Sequence, residues 1–210
     1  GNTVTLFFMT FFGAVILFPF VWKNLPGFLM SDVQTIVVIG ILCAVLLIAA
    51  YLDFEALRVG KLAIVEPIWS FEIPVAGFLA FFILKEELSV SQITLIVFLV
   101  CGLVLVSLRE KVRVGRVIFE RGTIIALFGA VMMGASNFFM GWGARLSDPI
   151  MANFVADVFI ALFTGAVLLG GGKYRKSIVD MRKNFGLLLQ MSVADKVAWV
   201  AFAVAMTLSP

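Results

Sequence analysis

Among the carboxylates that interrupt the long apolar runs of this sequence, Glu66, Glu72 and Asp157 are the first candidates for chemistry. A charge in the middle of a bilayer costs about 2.5–3.5 kcal/mol on insertion scales, so such a residue usually faces a cavity or pairs with another group. A buried carboxylate can take up a proton, bind a cation or accept hydrogen bonds from an organic solute. The three residues are therefore candidates for a substrate-binding site, with structural ion pairs or hydrogen bonds as the alternative.

Glu66 and Glu72 lie in one apolar stretch, with Trp69 and Ser70 between them. On a helix, Glu66 shares a face with Trp69 and Ser70, whereas Glu72 lies about 120° round the axis. Helix geometry alone does not join the two carboxylates into one site, although all four side chains are candidates for substrate binding. For Glu66 the alternative is an ion pair with a basic residue of the preceding loop.

Two prolines in the same stretch, Pro67 and Pro74, predict breaks in the helix. Proline has no backbone N–H, so the carbonyls four residues earlier, those of Ala63 and Ser70, lose their helical hydrogen bonds. A free carbonyl in a membrane can bind a substrate or a cation. Both prolines are therefore helix-break candidates beside the carboxylates.

Charged and aromatic residues also crowd the end of the preceding apolar run, where Tyr51, Asp53, Glu55 and Arg58 fall within eight residues. Arg58 can pair with Glu55 or with Asp53, and Glu55 can also pair with Lys61; such pairs would make this group a structural clamp. The alternative is a gate or a recognition point for an ionised substrate, with Tyr51 facing the cavity.

Further along the chain, Asn153 and Asp157 are one helical turn apart, which places them on one face. They can polarise a cavity together, or they can form hydrogen bonds between helices, worth about 0.6 kcal/mol on average. Asn137 follows the small residues 134–136 in an otherwise apolar run. Ala130 lies four residues before Gly134, and small residues at this spacing favour close helix packing. Asn137 itself is a candidate substrate ligand.

The elements that must position these residues are membrane-spanning helices. Apolar residues make up 62% of the 210-residue chain and charged residues 14%, with a mean hydropathy of +1.13. A span needs about 20 mostly apolar residues, and such windows occur at 4–22, 34–57, 62–84, 91–108, 122–146, 150–170 and 187–208. Ser89 is expected to cap the fourth helix. The sequence predicts an all-α integral membrane protein of about seven helices, surrounded by the lipid bilayer.

The composition also argues against several classes of protein. The chain has no histidine, and Cys43 and Cys101 lie in apolar runs, where we interpret them as small packing residues. The sequence contains neither a glycine-rich phosphate loop followed by Lys-Ser or Lys-Thr nor a His-Glu-x-x-His motif. We expect no metal, no cofactor and no enzymatic activity. The net charge of +3 does not favour nucleic-acid binding.

An internal repeat indicates how the helices are organised. Residues 11–17 (FFGAVIL) match residues 163–169 (FTGAVLL) at five of seven positions, at an offset of 152 residues. If the repeated unit has five helices, the second copy is inverted in the membrane. Inverted repeats are the recurrent architecture of secondary transporters.

Motifs beside the candidate residues carry a family resemblance. They are an aromatic-acidic-Ala-Leu stretch from Tyr51, then LAIVEP (62–67), KEELS (85–89) and RLSDP (145–149). With these motifs the chain resembles the drug/metabolite transporter superfamily, specifically its EamA-type ten-helix members. The resemblance implies a first repeat at 1–108 without its first helix, a basic connecting loop at 109–121, and a second repeat at 122–210 without its last two helices.

The resemblance also implies a function. Members of that family move small organic molecules such as amino acids, metabolites and drugs. We therefore expect a secondary transporter that moves a small-molecule substrate by alternating access, as a multi-pass protein of the plasma (inner) membrane. The identity of the coupling partner is left open between H+, another ion and none. The alternatives are a membrane structural or assembly subunit with no transport of its own and, third, an intramembrane enzyme.

Basic residues set an expectation for the orientation. Lys and Arg number twelve in the second, fourth and sixth loops together and three in the first, third and fifth, counting Arg145 at the edge of the fifth, with five each in 109–121 and 171–186. The positive-inside rule therefore places the second, fourth and sixth loops in the cytosol. The family resemblance implies cytosolic termini and the opposite orientation, so the two expectations conflict.

Overall fold

The structure is a computed structural model that describes residues 2–86, 89–109, 121–172 and 174–208. In these ranges the regular structure is entirely helical. The elements are α1 (Asn2–Val21), α2 (Leu25–Leu29), α3 (Val33–Val59), α4 (Leu62–Trp69), α5 (Glu72–Leu79), a π-helical turn (Ala80–Leu84), α6 (Val90–Arg109), α7 (Arg121–Leu146), α8 (Pro149–Gly170), α9 (Tyr174–Lys183) and α10 (Phe185–Leu208).

Within the described residues, six helical segments are long and apolar enough to cross a membrane, by length and composition: Asn2–Val21, Val33–Val59, Ile64–Leu84, Arg121–Leu146, Pro149–Gly170 and Phe185–Leu208. The remaining predicted window, 91–108, corresponds to α6, which contains the shorter apolar segment Val90–Gly102. The ends of the predicted windows lie within about two residues of the observed helical segments. The prediction of an all-α multi-pass membrane protein is confirmed.

Side-chain caps explain where two of the helices begin. At α6, the Ser89 hydroxyl accepts a hydrogen bond of 3.3 Å from the Gln92 backbone N–H, and the Gln92 side chain accepts one of 2.8 Å from the Ser89 N–H. This reciprocal pair is a capping box, and the predicted cap is confirmed. At α8, the Asp148 carboxylate accepts hydrogen bonds from the backbone N–H groups of Ile150 and Met151.

The described chain divides into two compact units, Gly1–Ala44 with Phe139–Pro210 and Val45–Phe138, whose boundaries fall inside α3 and α7. In the first unit, α1, α8 and α10 pack against one another. Helices in a membrane associate through close packing and interhelical hydrogen bonds, because lipid tails are as apolar as the side chains. The buried residues between α1 and α8 are Leu17, Val21, Met151 and Phe154.

In the second unit, glycines bring helix backbones into direct contact. A Cβ on Gly122 would overlap the backbone of Gly60, and a Cβ on Gly134 would lie 2.6 Å from the carbonyl oxygen of Glu72. The prediction that small residues of 134–136 serve close helix packing is therefore confirmed for Gly134. The core beside these contacts consists of Ala56, Val65 and Ala126.

The third membrane-spanning segment is broken near its middle. α4 ends at Trp69 and α5 begins at Glu72, with Ser70 in the turn between them. Pro74 cannot donate to the Ser70 carbonyl, which instead accepts a long hydrogen bond of 3.4 Å from the Ile73 N–H. The interruption lies just before Pro74, but the prediction of a free Ser70 carbonyl is wrong, because this shorter-range bond replaces the helical one.

Two further irregularities belong to the same segment. Pro67 lies inside α4, which continues to Trp69. The segment ends in the π-helical turn Ala80–Leu84, followed by Lys85 with a φ of 55°. A left-handed residue after the last turn is a common way to end a helix and redirect the chain.

The compact units cut across the predicted repeats, 1–108 and 122–210. Compact units reflect packing and not internal symmetry, so the repeat boundaries stay a prediction. Most of the predicted connecting loop, 109–121, lies outside the described residues. The other basic stretch, 171–186, contains the ten-residue helix α9, which its polarity had not indicated.

Candidate binding site

Four polar or aromatic side chains of the second compact unit come from four different helices: Asp53 of α3, Trp69 of α4, Glu72 of α5 and Asn137 of α7. The side chains of Glu72 and Asn137 are hydrogen-bonded. The carboxylate of Asp53 is close enough to that of Glu72 for repulsion between them. Trp69 packs on the core that includes Ala56, one turn along α3 from Asp53. We call these four residues the acidic cluster.

Glycines of α7 let this helix approach both acid-bearing helices. A Cβ on Gly129 would lie 2.6 Å from Oδ1 of Asp53, just as a Cβ on Gly134 would meet the backbone of Glu72. A larger residue at either position would therefore displace a wall of the acidic cluster. Asn137, one turn beyond Gly134, is held against Glu72 by the same approach.

Two atoms of the acidic cluster are buried without a hydrogen-bond partner in the part of the chain that the structure describes: Oδ1 of Asp53 and Nε1 of Trp69. A buried polar atom left unpaired costs about 1–3 kcal/mol. The carboxylate oxygen accepts hydrogen bonds and the indole nitrogen donates one. A hydrogen-bond donor would satisfy the carboxylate oxygen, and a hydrogen-bond acceptor would satisfy the indole nitrogen.

Among the described residues, no basic side chain pairs with Asp53 or Glu72. Arg58, which follows Asp53 on α3, is bound to Glu55, with an Nη2–Oε1 distance of 2.6 Å and an Nε–Oε2 distance of 2.8 Å. The predicted clamp is confirmed for Glu55 and Arg58. The prediction of a pair between Asp53 and Arg58 is wrong, because the guanidinium group of Arg58 is already bound to Glu55, one turn away on the same helix.

The remaining predicted site residues of this unit are Tyr51, Ser70 and Glu66. Tyr51 is partly buried on α3, and Ser70 is partly buried in the turn after α4. Glu66 is exposed on α4. Glu72 is thus hydrogen-bonded to Asn137 of another helix and is not joined to Glu66 of its own segment. This agrees with the angle of about 120° between the two glutamates around the helix axis.

The other two predicted residues, Asn153 and Asp157, are buried in α8 of the first compact unit. The Nδ2 atom of Asn153 donates a hydrogen bond of 2.8 Å to the Pro149 carbonyl, within its own helix. Oδ1 of Asp157 accepts a hydrogen bond of 2.7 Å from Nζ of Lys196 on α10. The geometry of Asp157 is therefore that of an interhelical ion pair, as in the alternative interpretation of this residue.

Lys196 is the residue that sequence reasoning missed. Its side chain is 8% exposed, and its Nζ also lies 3.1 Å from Oδ2 of Asp195. Gly13 of α1 packs so closely on the pair that a Cβ there would overlap Oδ2 of Asp157 and lie 2.9 Å from Cδ of Lys196. A lysine in the middle of the last apolar window is the same signal that singled out the carboxylates, and it could have been found in the same way.

The fold defines a class of protein, the multi-pass helical membrane protein, and a broken membrane helix beside buried polar groups is typical of the transporters in that class. The model of the EamA-like transporter family matches residues 2–108, just over half of the 210-residue chain. The chain belongs to the EamA-like transporter family. Searches of curated proteins and of solved structures each found no match.

Proposed function

We propose that this protein is a secondary transporter that moves a small organic solute across the plasma (inner) membrane by alternating access. One observation carries the proposal: the acidic cluster lies at a break in a membrane-spanning segment, and Asp53 and Glu72 have no basic partner among the described residues. Irregular backbone inside a membrane is tolerated where it lines a cavity or is buried in protein, and transporters use such breaks to bind substrates and coupling ions.

The charge of the acidic cluster favours a solute with a cationic group, such as a protonated amine. A carboxylate inside a membrane is costly unless a positive group accompanies it. In the other compact unit, Lys196 supplies that group to Asp157. Asp53 and Glu72 have no such lysine in the described chain, so a cationic solute supplies the missing charge. H+ or another coupling cation can take its place when the solute leaves.

Trp69 gives the acidic cluster a second recognition element. Its ring can contact a cation or an apolar part of the solute, and its unpaired Nε1 can donate to an acceptor. The hydrogen bond from Asn137 orients the Glu72 carboxylate. These groups together fit a solute that carries a positive charge, a hydrogen-bond acceptor and an apolar body.

Binding to the purified full-length protein tests the charge preference. Three probes share a phenyl ring and a similar chain length but differ in charge: 2-phenylethylammonium, 2-phenylethanol and 3-phenylpropionate. We expect calorimetry to show saturable binding of the ammonium probe and little binding of the other two. Glu72→Gln and Asp53→Asn should each weaken that binding by about tenfold or more, the size expected for losing a hydrogen bond to a charged group.

Glu55→Gln is the matched control for these variants. It removes a carboxylate two residues from Asp53 on the same helix, but one that is paired with Arg58. This variant should bind the ammonium probe as the wild type does. Equal binding of all three probes, or undiminished binding by Glu72→Gln, would contradict the cationic preference.

Transport itself is measured in proteoliposomes with benzyltrimethylammonium, a permanent cation that cannot cross the bilayer as a neutral amine. We expect saturable uptake and counterflow, both reduced in Glu72→Gln. A well-folded protein that binds the ammonium probe but transports no solute would favour the alternative function, a membrane structural or assembly subunit. Membrane fractionation of cells that express the protein tests its placement in the plasma membrane.

A further inference from the structure

The ten-residue helix α9, Tyr174–Lys183, connects two membrane-spanning helices and is too short to cross a membrane itself. α8 ends at Gly170 and α10 begins at Phe185. A connection of three residues reaches at most about 10 Å, and the connection on the other side is the single residue Asn184. The flanking spans therefore hold α9 at the membrane surface.

The sequence of α9, YRKSIVDMRK, contains four basic residues and one acidic residue. Ile178 and Met181, three positions apart, are partly buried, whereas Arg182 and Lys183 are exposed. The helix also contacts α10. α9 is thus a basic amphipathic helix whose described basic side chains face away from the protein.

We propose that α9 is a membrane-surface helix that binds the anionic headgroups of phospholipids. Basic amphipathic helices at an interface are attracted to anionic lipids, and in α9, where Ile178 and Met181 are already partly buried by the protein, this attraction by the basic side chains is the main term. Each Lys or Arg near an anionic surface strengthens that attraction by about fivefold. The flanking spans anchor α9, so the attraction acts as a preference for anionic lipids over neutral ones beside this helix.

The position of α9 selects a lipid as its partner. Short connections on both sides keep the helix within the headgroup layer, where phosphate groups are the abundant anions. Within the described residues, neither Arg182 nor Lys183 forms an ion pair. Both are therefore available to headgroups, and their charge is complementary to an anionic leaflet.

The test measures which lipids surround α9 in the full-length protein. A fluorescent bimane label is attached through Val179→Cys, at a side chain that is 52% exposed. The native Cys43 and Cys101, both free thiols, are replaced by alanine. Brominated lipids quench the label on contact. Quenching is measured in two bilayers, one of brominated phosphatidylglycerol with ordinary phosphatidylcholine and one of brominated phosphatidylcholine with ordinary phosphatidylglycerol. The two values together give the relative binding constant of the two lipids beside the label.

We expect phosphatidylglycerol to bind beside the label several-fold more strongly than phosphatidylcholine. Arg182→Gln combined with Lys183→Gln should remove most of this preference, because each of the two side chains contributes at most about fivefold. Arg182→Lys combined with Lys183→Arg should retain it, and 1 M salt should weaken it by screening. Equal quenching by the two lipids in the wild type, or an unchanged preference in the glutamine variant, would overturn the proposal.

Discussion

Removal of the Lys196 ammonium group is expected to destabilise the protein strongly. Its Nζ lies 2.7 Å from Oδ1 of Asp157, and the two side chains are 8% and 3% exposed. Lys196→Met keeps the apolar stem but leaves Asp157 as an uncompensated buried carboxylate, which costs about 3–5 kcal/mol. The loss of the second ion pair, between Lys196 and Asp195, adds less to this cost, because the Asp195 side chain is 34% exposed and water can solvate its charge.

The same geometry predicts an asymmetry between the two partners. Asp157→Asn leaves Lys196 with Asp195 at 3.1 Å, so it should cost less, about 1–3 kcal/mol. Asp157→Leu combined with Lys196→Met removes both buried charges. This double variant should recover most of the loss, because replacing a buried ion pair by apolar residues is often close to neutral.

Denaturant titration of the full-length protein in detergent micelles, followed by circular dichroism, gives the free energy of unfolding. Lys23→Met is the matched control, because Lys23 is exposed and its Nζ lies 6.0 Å from the ring centroid of Trp22. Its effect should stay below about 1 kcal/mol. A loss below about 1 kcal/mol in Lys196→Met, or a double variant as unstable as the single one, would refute the assignment of a stabilising ion pair.

Three further predictions address the packing, the site and the orientation. Gly13→Ala should lower the free energy of unfolding by about 1–3 kcal/mol, because its Cβ overlaps Oδ2 of Asp157. Gly40→Ala, whose Cβ meets nothing within 4 Å, is its control in the same titration, and equal losses would contradict the packing argument. Glu66→Gln should bind 2-phenylethylammonium as the wild type does, since Glu66 is exposed; a tenfold loss in calorimetry would return Glu66 to the site. In protein without its native cysteines, Asn184→Cys should react with a membrane-impermeant maleimide from the cytosolic side, as the positive-inside rule predicts; reaction from the other side alone would support the orientation implied by the family resemblance.

Features that depend on residues close together in the chain could be predicted from the sequence. A run of about 20 apolar residues defines a span without reference to its neighbours. The capping box of Ser89 and the ion pair of Glu55 with Arg58 join residues three apart, so a helical register alone is enough to propose them. Pro74 signals a break because the missing N–H is a property of the residue itself. The family motifs are likewise continuous stretches.

Only the tertiary structure decides which polar residues of different helices meet. Glu72 is hydrogen-bonded to Asn137, and Asp157 is paired with Lys196. Rotating a helix about its axis changes such partners without changing any of its own backbone hydrogen bonds, so sequence spacing cannot select them. The sequence by itself determined that charged groups lie within membrane-spanning helices. The packing of those helices decided that Asp157 is neutralised inside the protein, while the two carboxyl groups of the acidic cluster have no basic partner in the described chain.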